Sequence, residues 1–215
     1  MIALRTSSLC LPGLALLLSF LTACAPNSSA SPAARPAPES AAEPAAEANL
    51  IRNPGFEDLP YIARPWETLV HANPESYEFS LETEQPRSGA HAVRIRRLRE
   101  EPWAGIAQIY RYDEPEPRVM LASVWLNLDA IEDHVIFYVE SRPAGQSAEL
   151  TRQVIERPAE AQGWRRFQLR LPPLSGRGRL KFGVEMYGPG EVLMDDAALY
   201  WANASSRSAA PGLRH

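Results

Sequence analysis

The chain has only two cysteines, Cys10 and Cys24. Both stand near its beginning, so nothing from residue 25 onward can be closed by an internal disulfide, and any domain there rests on a hydrophobic core. Lysine is nearly absent as well: Lys181 is the only one, and the other basic side chains are arginines. With a formal net charge of −4 and the two signs interspersed, this arginine bias reads as the coding preference of a GC-rich genome and excludes an electrostatic case for nucleic acid. The four histidines, His71, His91, His134 and His215, are scattered without metal-ligand spacing, which argues against zinc. There is no Gly-x-Ser-x-Gly elbow, no His-Glu-x-x-His pair and no phosphate-cradling glycine loop. Glycoside hydrolysis needs two carboxylates about 5–9.5 Å apart with one pKa raised. Nothing marks such a pair, and the expectation is a protein that is not an enzyme.

What the amino end does hold is an apolar stretch that begins near Leu9, is interrupted by Pro12, follows the basic Arg5 and closes on Leu21-Thr22-Ala23-Cys24. It is shorter than the roughly 20 residues needed to span a bilayer, and its parts are those of an export signal. It resembles a bacterial lipoprotein signal. The resemblance implies that residues 1–23 are removed and that Cys24 carries a diacylglycerol and a further acyl chain such as palmitate. At about 0.8 kcal/mol per buried methylene, such chains hold a domain at a lipid bilayer. By resemblance to Gram-negative lipoproteins, Ala25 after the cysteine, where no Asp stands, favours the outer membrane of the cell envelope. Residues 24–48 are Ala, Pro, Ser and Glu with no large apolar side chain, a disordered and partly stiffened tether reaching at most roughly 70 Å at 3.1 Å per residue. The tail over 203–215 is similarly small and polar.

Between these segments the periodicity is two. Runs rich in β-branched and aromatic residues recur at 77–82, 92–98, 106–112, 119–128, 134–141, 150–156, 165–171, 179–187 and 192–201. Ser88-Gly89, 143–145, Gly163, Pro172-Pro173, 176–178 and 188–190 punctuate them as turns. No long stretch carries a helical stripe free of Pro and Gly. Residues 49–202 therefore predict one all-β domain, a β-sandwich or jelly roll.

Asn49-Leu50-Ile51-Arg52-Asn53-Pro54-Gly55-Phe56-Glu57 resembles the first strand of galactose-binding-like jelly rolls, in particular carbohydrate-binding modules of the family 4, 9 and 22 type. Trp66, Ser88-Gly89-Ala90-His91-Ala92-Val93, Ala107-Gln108, Ser123-Val124-Trp125-Leu126, Gly163-Trp164-Arg165-Arg166-Phe167 and 192–199 follow in the same order. The resemblance implies a structural calcium near the meeting of the first and last strands, with Glu57 and Asp195 as side-chain ligands and Asp196 as the alternate. An oxygen set of this kind suits a hard cation. It also implies recognition of a glycan or polysaccharide through aromatic faces and hydrogen-bonding polar groups. The candidates are Trp66, Trp103, Gln108, Tyr110, Tyr112, Tyr138, Glu140, Glu185 and Tyr187.

Parity places Gln108, Tyr110 and Tyr112 on one face of their strand, and Tyr138 with Glu140 on one face of theirs. Polar-tipped rings of this kind point to an exposed concave face. Trp125 and Trp164, set among Val, Leu and Phe, are expected in the core, whereas Trp66 and Trp103, flanked by proline, suit either surface or core. Glycan-binding members often carry an aromatic just before the strand Gln, and here that position is Ala107. The departure keeps a second expectation open, an assembly factor that binds an envelope protein through the same fold.

Overall fold

The structure, a computed structural model, describes residues 48–58 and 65–202. Cys24, the signal over 1–23, the tether up to residue 47 and the tail over 203–215 lie outside the described residues.

Ten strands follow one another: β1 (Glu67–Val70), β2 (Tyr77–Glu82), β3 (Ala92–Arg97), β4 (Trp103–Arg118), β5 (Met120–Asn127), β6 (His134–Pro143), β7 (Glu149–Glu156), β8 (Trp164–Arg170), β9 (Leu174–Tyr187) and β10 (Glu191–Trp201). Among the described residues there is no α-helix; one 3-10 turn, Pro74–Ser76, leads into β2. The strands form two five-stranded sheets, β1-β4-β9-β6-β7 and β2-β3-β10-β5-β8. All strand pairs are antiparallel, as in a jelly roll.

The alternation read from the sequence builds the core between the sheets. On β9 Leu180, Phe182, Val184 and Met186 point inward, and on β6 Val135, Phe137 and Val139 do. Met120, Ala122, Val124 and Leu126 of β5 face them from the other sheet, with Val93 and Ile95 of β3. The intervening residues point to solvent, because successive side chains on a strand take opposite faces.

The expected first strand over 49–57 is irregular instead. Asn53 and Phe56 take left-handed backbone conformations, with φ of 47° and 60°, which no extended strand accepts. The segment nevertheless runs beside β10: Leu50 N–H donates to Leu199 C=O at 2.8 Å, and the Asn49 side chain bonds Ala197 C=O and Leu199 N–H. Phe56 then closes the core against Trp66, with ring centroids 5.2 Å apart, and Trp66 meets Phe182 edge-on at 6.0 Å. β1, absent from the sequence reading, is only four residues long and holds the sheet edge beside β4. The turn expected over 176–178 is part of β9, where Gly178 lies opposite Tyr112 and leaves space for its ring.

Gln108, Tyr110 and Tyr112 share a face, as parity required, but that face is the inner one. Their partners across β9 are Phe182, Leu180 and Gly178, and their neighbour on the same face is the buried Ile106. Gln108 is 3 % exposed and has its amide spent: its oxygen accepts from Arg52 N–H and its nitrogen donates to Arg52 C=O, both at 2.9 Å. Tyr112 is buried edge-on against Trp201, and Tyr110 packs on the core. Burial raises the pKa of both phenols.

Replacing Gln108 by Ala strands a donor and an acceptor of the opening segment. It should lower unfolding free energy by about 1–3 kcal/mol in denaturant titrations, with the folded far-ultraviolet spectrum retained. An unchanged midpoint would mean that the clamp does not hold the segment.

Candidate functional site

The solvent-facing side of the β1-β4-β9-β6-β7 sheet can be described row by row from its registers. At one end Trp103 of β4 lies opposite Tyr187 of β9, whose ring stacks on His134 of β6 with centroids 4.6 Å apart and an interplanar angle of 8°. The next row crosses Leu69, Gly105, Glu185, Ile136 and Val154. Beyond it come Glu67, Ala107, Gly183, Tyr138 and Arg152, then a row through Ile109, Lys181, Glu140 and Leu150. Rows on one face repeat every two residues, about 6.6 Å.

Small residues cut a trough into this face. Gly183 has no side chain, and the Tyr138 ring lies across it: a Cβ there would come within 2.5 Å of the ring. The Glu185 side chain crosses Gly105 in the same way. Ala107, the third small residue, completes the floor. Tyr138 is 5 % exposed, and among the described residues its hydroxyl makes no hydrogen bond of normal geometry, Glu185 being its polar neighbour. Burial, reinforced by the nearby Glu185 carboxylate, pushes this phenol far above its ordinary pKa, so it stays protonated. Glu185 itself accepts from the Tyr187 hydroxyl at 3.2 Å, and the Lys181 ammonium sits 5.7 Å from the Tyr138 ring centre.

Of the nine ligand-binding candidates, the structure gathers Trp103, Tyr138, Glu140, Glu185 and Tyr187 on this outer face. Trp66 joins the core, 3 % exposed, with its indole N–H donating to Asn53 C=O at 3.0 Å; that carbonyl is what lets the ring be buried. Gln108, Tyr110 and Tyr112 stand on the inner side. Trp125 and Trp164, expected in the core, lie instead on the outside of the second sheet. Parity puts Val124 and Leu126 inward and Trp125 outward, where the Arg87 guanidinium covers it at 4.1 Å. The Trp164 indole donates to Gln85 C=O at 3.2 Å. His134, Lys181 and Arg152 were not among the ligand-binding candidates read from the sequence. Their place beside Tyr187 and Tyr138 depends on strand register, and no local pattern carries it.

The three acids expected at calcium do converge. A bulge in β10 between Asp195 and Ala198 adds a residue to that strand, and Asp196 takes a φ of 44°. Both acids thus stand between the inward Met194 and Ala197. A Cβ on Gly55 would lie 3.4 Å from an Asp195 oxygen, 3.6 Å from an Asp196 oxygen and 3.9 Å from Glu57 Cγ.

Their oxygens are engaged within the protein. Asp195 Oδ2 accepts from Arg87 N–H at 3.0 Å and Ser88 N–H at 3.1 Å; Asp196 pairs with the Arg87 guanidinium and the Ser88 hydroxyl. Glu57 accepts from Ala90 N–H, His91 N–H and His91 Nδ1. The His91 contact is the main reason its pKa is lowered. Asp195 is fully buried, and burial outweighs its N–H bonds and pushes its pKa up to about 6. The donor chemistry suits a hard cation, but among the described residues no group of three or more acidic, His or Cys side chains is arranged as a metal cage.

No protein-family model matches the sequence, and no curated protein matches it. Solved structures do match in fold. A putative sugar binding protein from Bacteroides thetaiotaomicron superposes with a TM-score of 0.53 at 10% identity, over 72% of this chain and 100% of that one. The tandem CBM22-1-CBM22-2 domain of Paenibacillus barcinonensis Xyn10C gives 0.52 at 17% identity, over 79% of this chain and 49% of that one. An arabinose-bound α-L-arabinofuranosidase gives 0.56 at 12% identity, over 75% of this chain and 28% of that one. In fold the domain is a jelly roll like those of carbohydrate-binding modules.

Proposed function

We propose that this domain recognises a polysaccharide or glycan without catalysis, displayed on the cell envelope, with the outer-membrane bilayer holding it through an acylated Cys24. The observation that carries the reading is the outer sheet face, where Trp103, Tyr187, Tyr138, Glu185 and Glu140 come together from three strands. Sugar rings expose apolar C–H edges that stack on aromatic faces, and carboxylates hydrogen-bond the hydroxyls between them. The modules and the sugar binding protein that share this fold support the reading in kind. Trp103→Ala and Tyr187→Ala, measured by glycan-array and insoluble-polysaccharide retention, should each weaken binding about tenfold or more while thermal unfolding stays cooperative. Retention unchanged in both variants would remove this face from the function.

One observation favours the second reading, a protein partner in the envelope. Ile109, Leu150 and Val154, 40–50 % exposed, stand on the same face. A pull-down that enriches one envelope protein, with no glycan retained, would decide for it.

We also propose a structural calcium ion at Glu57 and Asp195, with Asp196 beside them. Its support is the convergence of the three acids around Gly55, where a Cβ would lie 3.4 Å from an Asp195 oxygen, 3.6 Å from an Asp196 oxygen and 3.9 Å from Glu57 Cγ. A bound dication would supply the positive charge that favours the ionised form of Asp195, whose pKa is raised. The pH dependence follows from the sign of the shift. Between its ordinary value of 3.8 and about 6, folded Asp195 holds a proton that the unfolded chain has released. Stability should therefore fall as pH rises from about 4 to 6 and stay lower above, by at most about 3 kcal/mol. Asp195→Asn should flatten that slope in thermal melts. Calcium should raise the melting temperature at pH 7 much more than at pH 4, and chelator should reverse the gain. No calcium effect at pH 7 would sink the metal and leave the slope to the carboxylate alone.

A further inference from the structure

Beyond the row of Ile109, Lys181 and Glu140, the outer face carries a row of arginines, followed by Asp113 opposite Arg177. Arg111 of β4 lies opposite Arg179 of β9, and Arg179 opposite Arg142 of β6. Like charges placed directly across strands destabilise a sheet. Here three stand side by side in a chain whose net charge is −4. An open bowl of about 540 Å³ is lined by all three, together with Asp113, Arg177, the Tyr112 and Gly178 pair and the Pro143 to Gln146 turn. A smaller hollow of about 140 Å³, shared by Arg179, Lys181 and Glu140, lies toward the trough.

Two of the nearby acids are already taken, and a third, Glu67, lines the smaller hollow with Arg179 and Lys181. Glu140 pairs with Arg142 at 3.0 Å, and Asp113 with Arg177 at 2.9 Å. Among the described residues Arg111 and Arg179 have no ion-pair partner. A local rule broken at a cavity, with two arginines without ion-pair partners at directly opposed strand positions, marks a binding site more than a device for stability.

We infer that this row binds the carboxylates of an acidic polysaccharide, so that the glycan lying on the outer face is a uronic acid polymer. The inference rests on the reading of that face as the glycan surface. A guanidinium fork matches a planar carboxylate with two parallel hydrogen bonds. Asp113 in the bowl, with Glu140 and Glu67 in the smaller hollow, sets the charge density of the ligand. A bilayer surface or a phosphate backbone would bring negative charge against them. A sugar chain with one carboxylate per ring can place that group on Arg111 and Arg179 and turn its hydroxyls to the acids.

The test uses the purified full-length chain, with polygalacturonate, neutral galactan, dextran sulfate and phosphatidylglycerol vesicles as probes. Polygalacturonate should be retained most strongly, and its affinity should fall with added salt. The double variant Arg111→Ser/Arg179→Ser should lose about tenfold or more on polygalacturonate, the loss of one charge-assisted bond or more. Arg170→Ser, an exposed control on β8, should lose nothing. Equal loss in the control, an unchanged double variant, or equal retention of galactan would overturn the arginine row while leaving glycan recognition standing. Preference for dextran sulfate or for vesicles would overturn the uronate assignment. Retention of no glycan at all would bring down both this inference and the reading it rests on.

Discussion

The antiparallel pairing of β4 with β9 is the constraint on which everything else depends. It holds one register from Trp103 opposite Tyr187 to Glu114 opposite Gly176, then shifts to bring Arg118 opposite Leu174. Because side chains alternate, this one register decides two surfaces at once. It puts Ile106, Phe182, Leu180 and Val184 into the core, and it lines up the aromatic end, the small-residue trough and the arginine row on the outside. A slip of one residue would exchange the two faces. It would bury Arg179 and Lys181, which neither sheet could tolerate.

The trough shows how packing and chemistry share residues. A side chain at Gly183 would collide with Tyr138, and the Glu185 side chain already fills the space above Gly105. The strand therefore gives up side chains at its centre so that a phenol from the neighbouring strand can lie flat over it. Ala107 belongs to the same arrangement. Its small size matters less as the loss of an aromatic than as clearance beside a ring supplied from β6. The buried hydroxyl of Tyr138 and the half-buried Glu185 keep polar groups at that centre without a bulky floor.

Much of the fold was legible in the sequence, because period-two runs separated by Gly and Pro are local signals. Nine of the ten strands fall on those runs. What failed was whatever depended on partners far along the chain. Parity put Gln108, Tyr110 and Tyr112 together correctly, but which side of the strand faces the core is decided by β9 and by the opening segment that Gln108 clamps. Polar tips suggested solvent; an amide spent on Arg52 and rings laid against Gly178 and Trp201 made burial affordable. Trp125 and Trp164 failed the other way, since apolar neighbours in sequence are the opposite face in space. The opening segment was right in its company, beside β10, and wrong in its conformation. The arginine row was illegible, since Arg111, Arg142 and Arg179 are brought together by register alone.

The outer face also has a direction. Trp103 with Tyr187 toward one end and Arg111 with Arg179 toward the other lie about 26 Å apart, at some 3.3 Å per residue along β4. One end offers rings and the other fixed positive charge, so they are not interchangeable. A sugar chain is itself polar, with distinct reducing and non-reducing ends. A polymer stretched along this surface would therefore meet different chemistry when reversed, and the domain would discriminate the orientation of a strand as well as its composition.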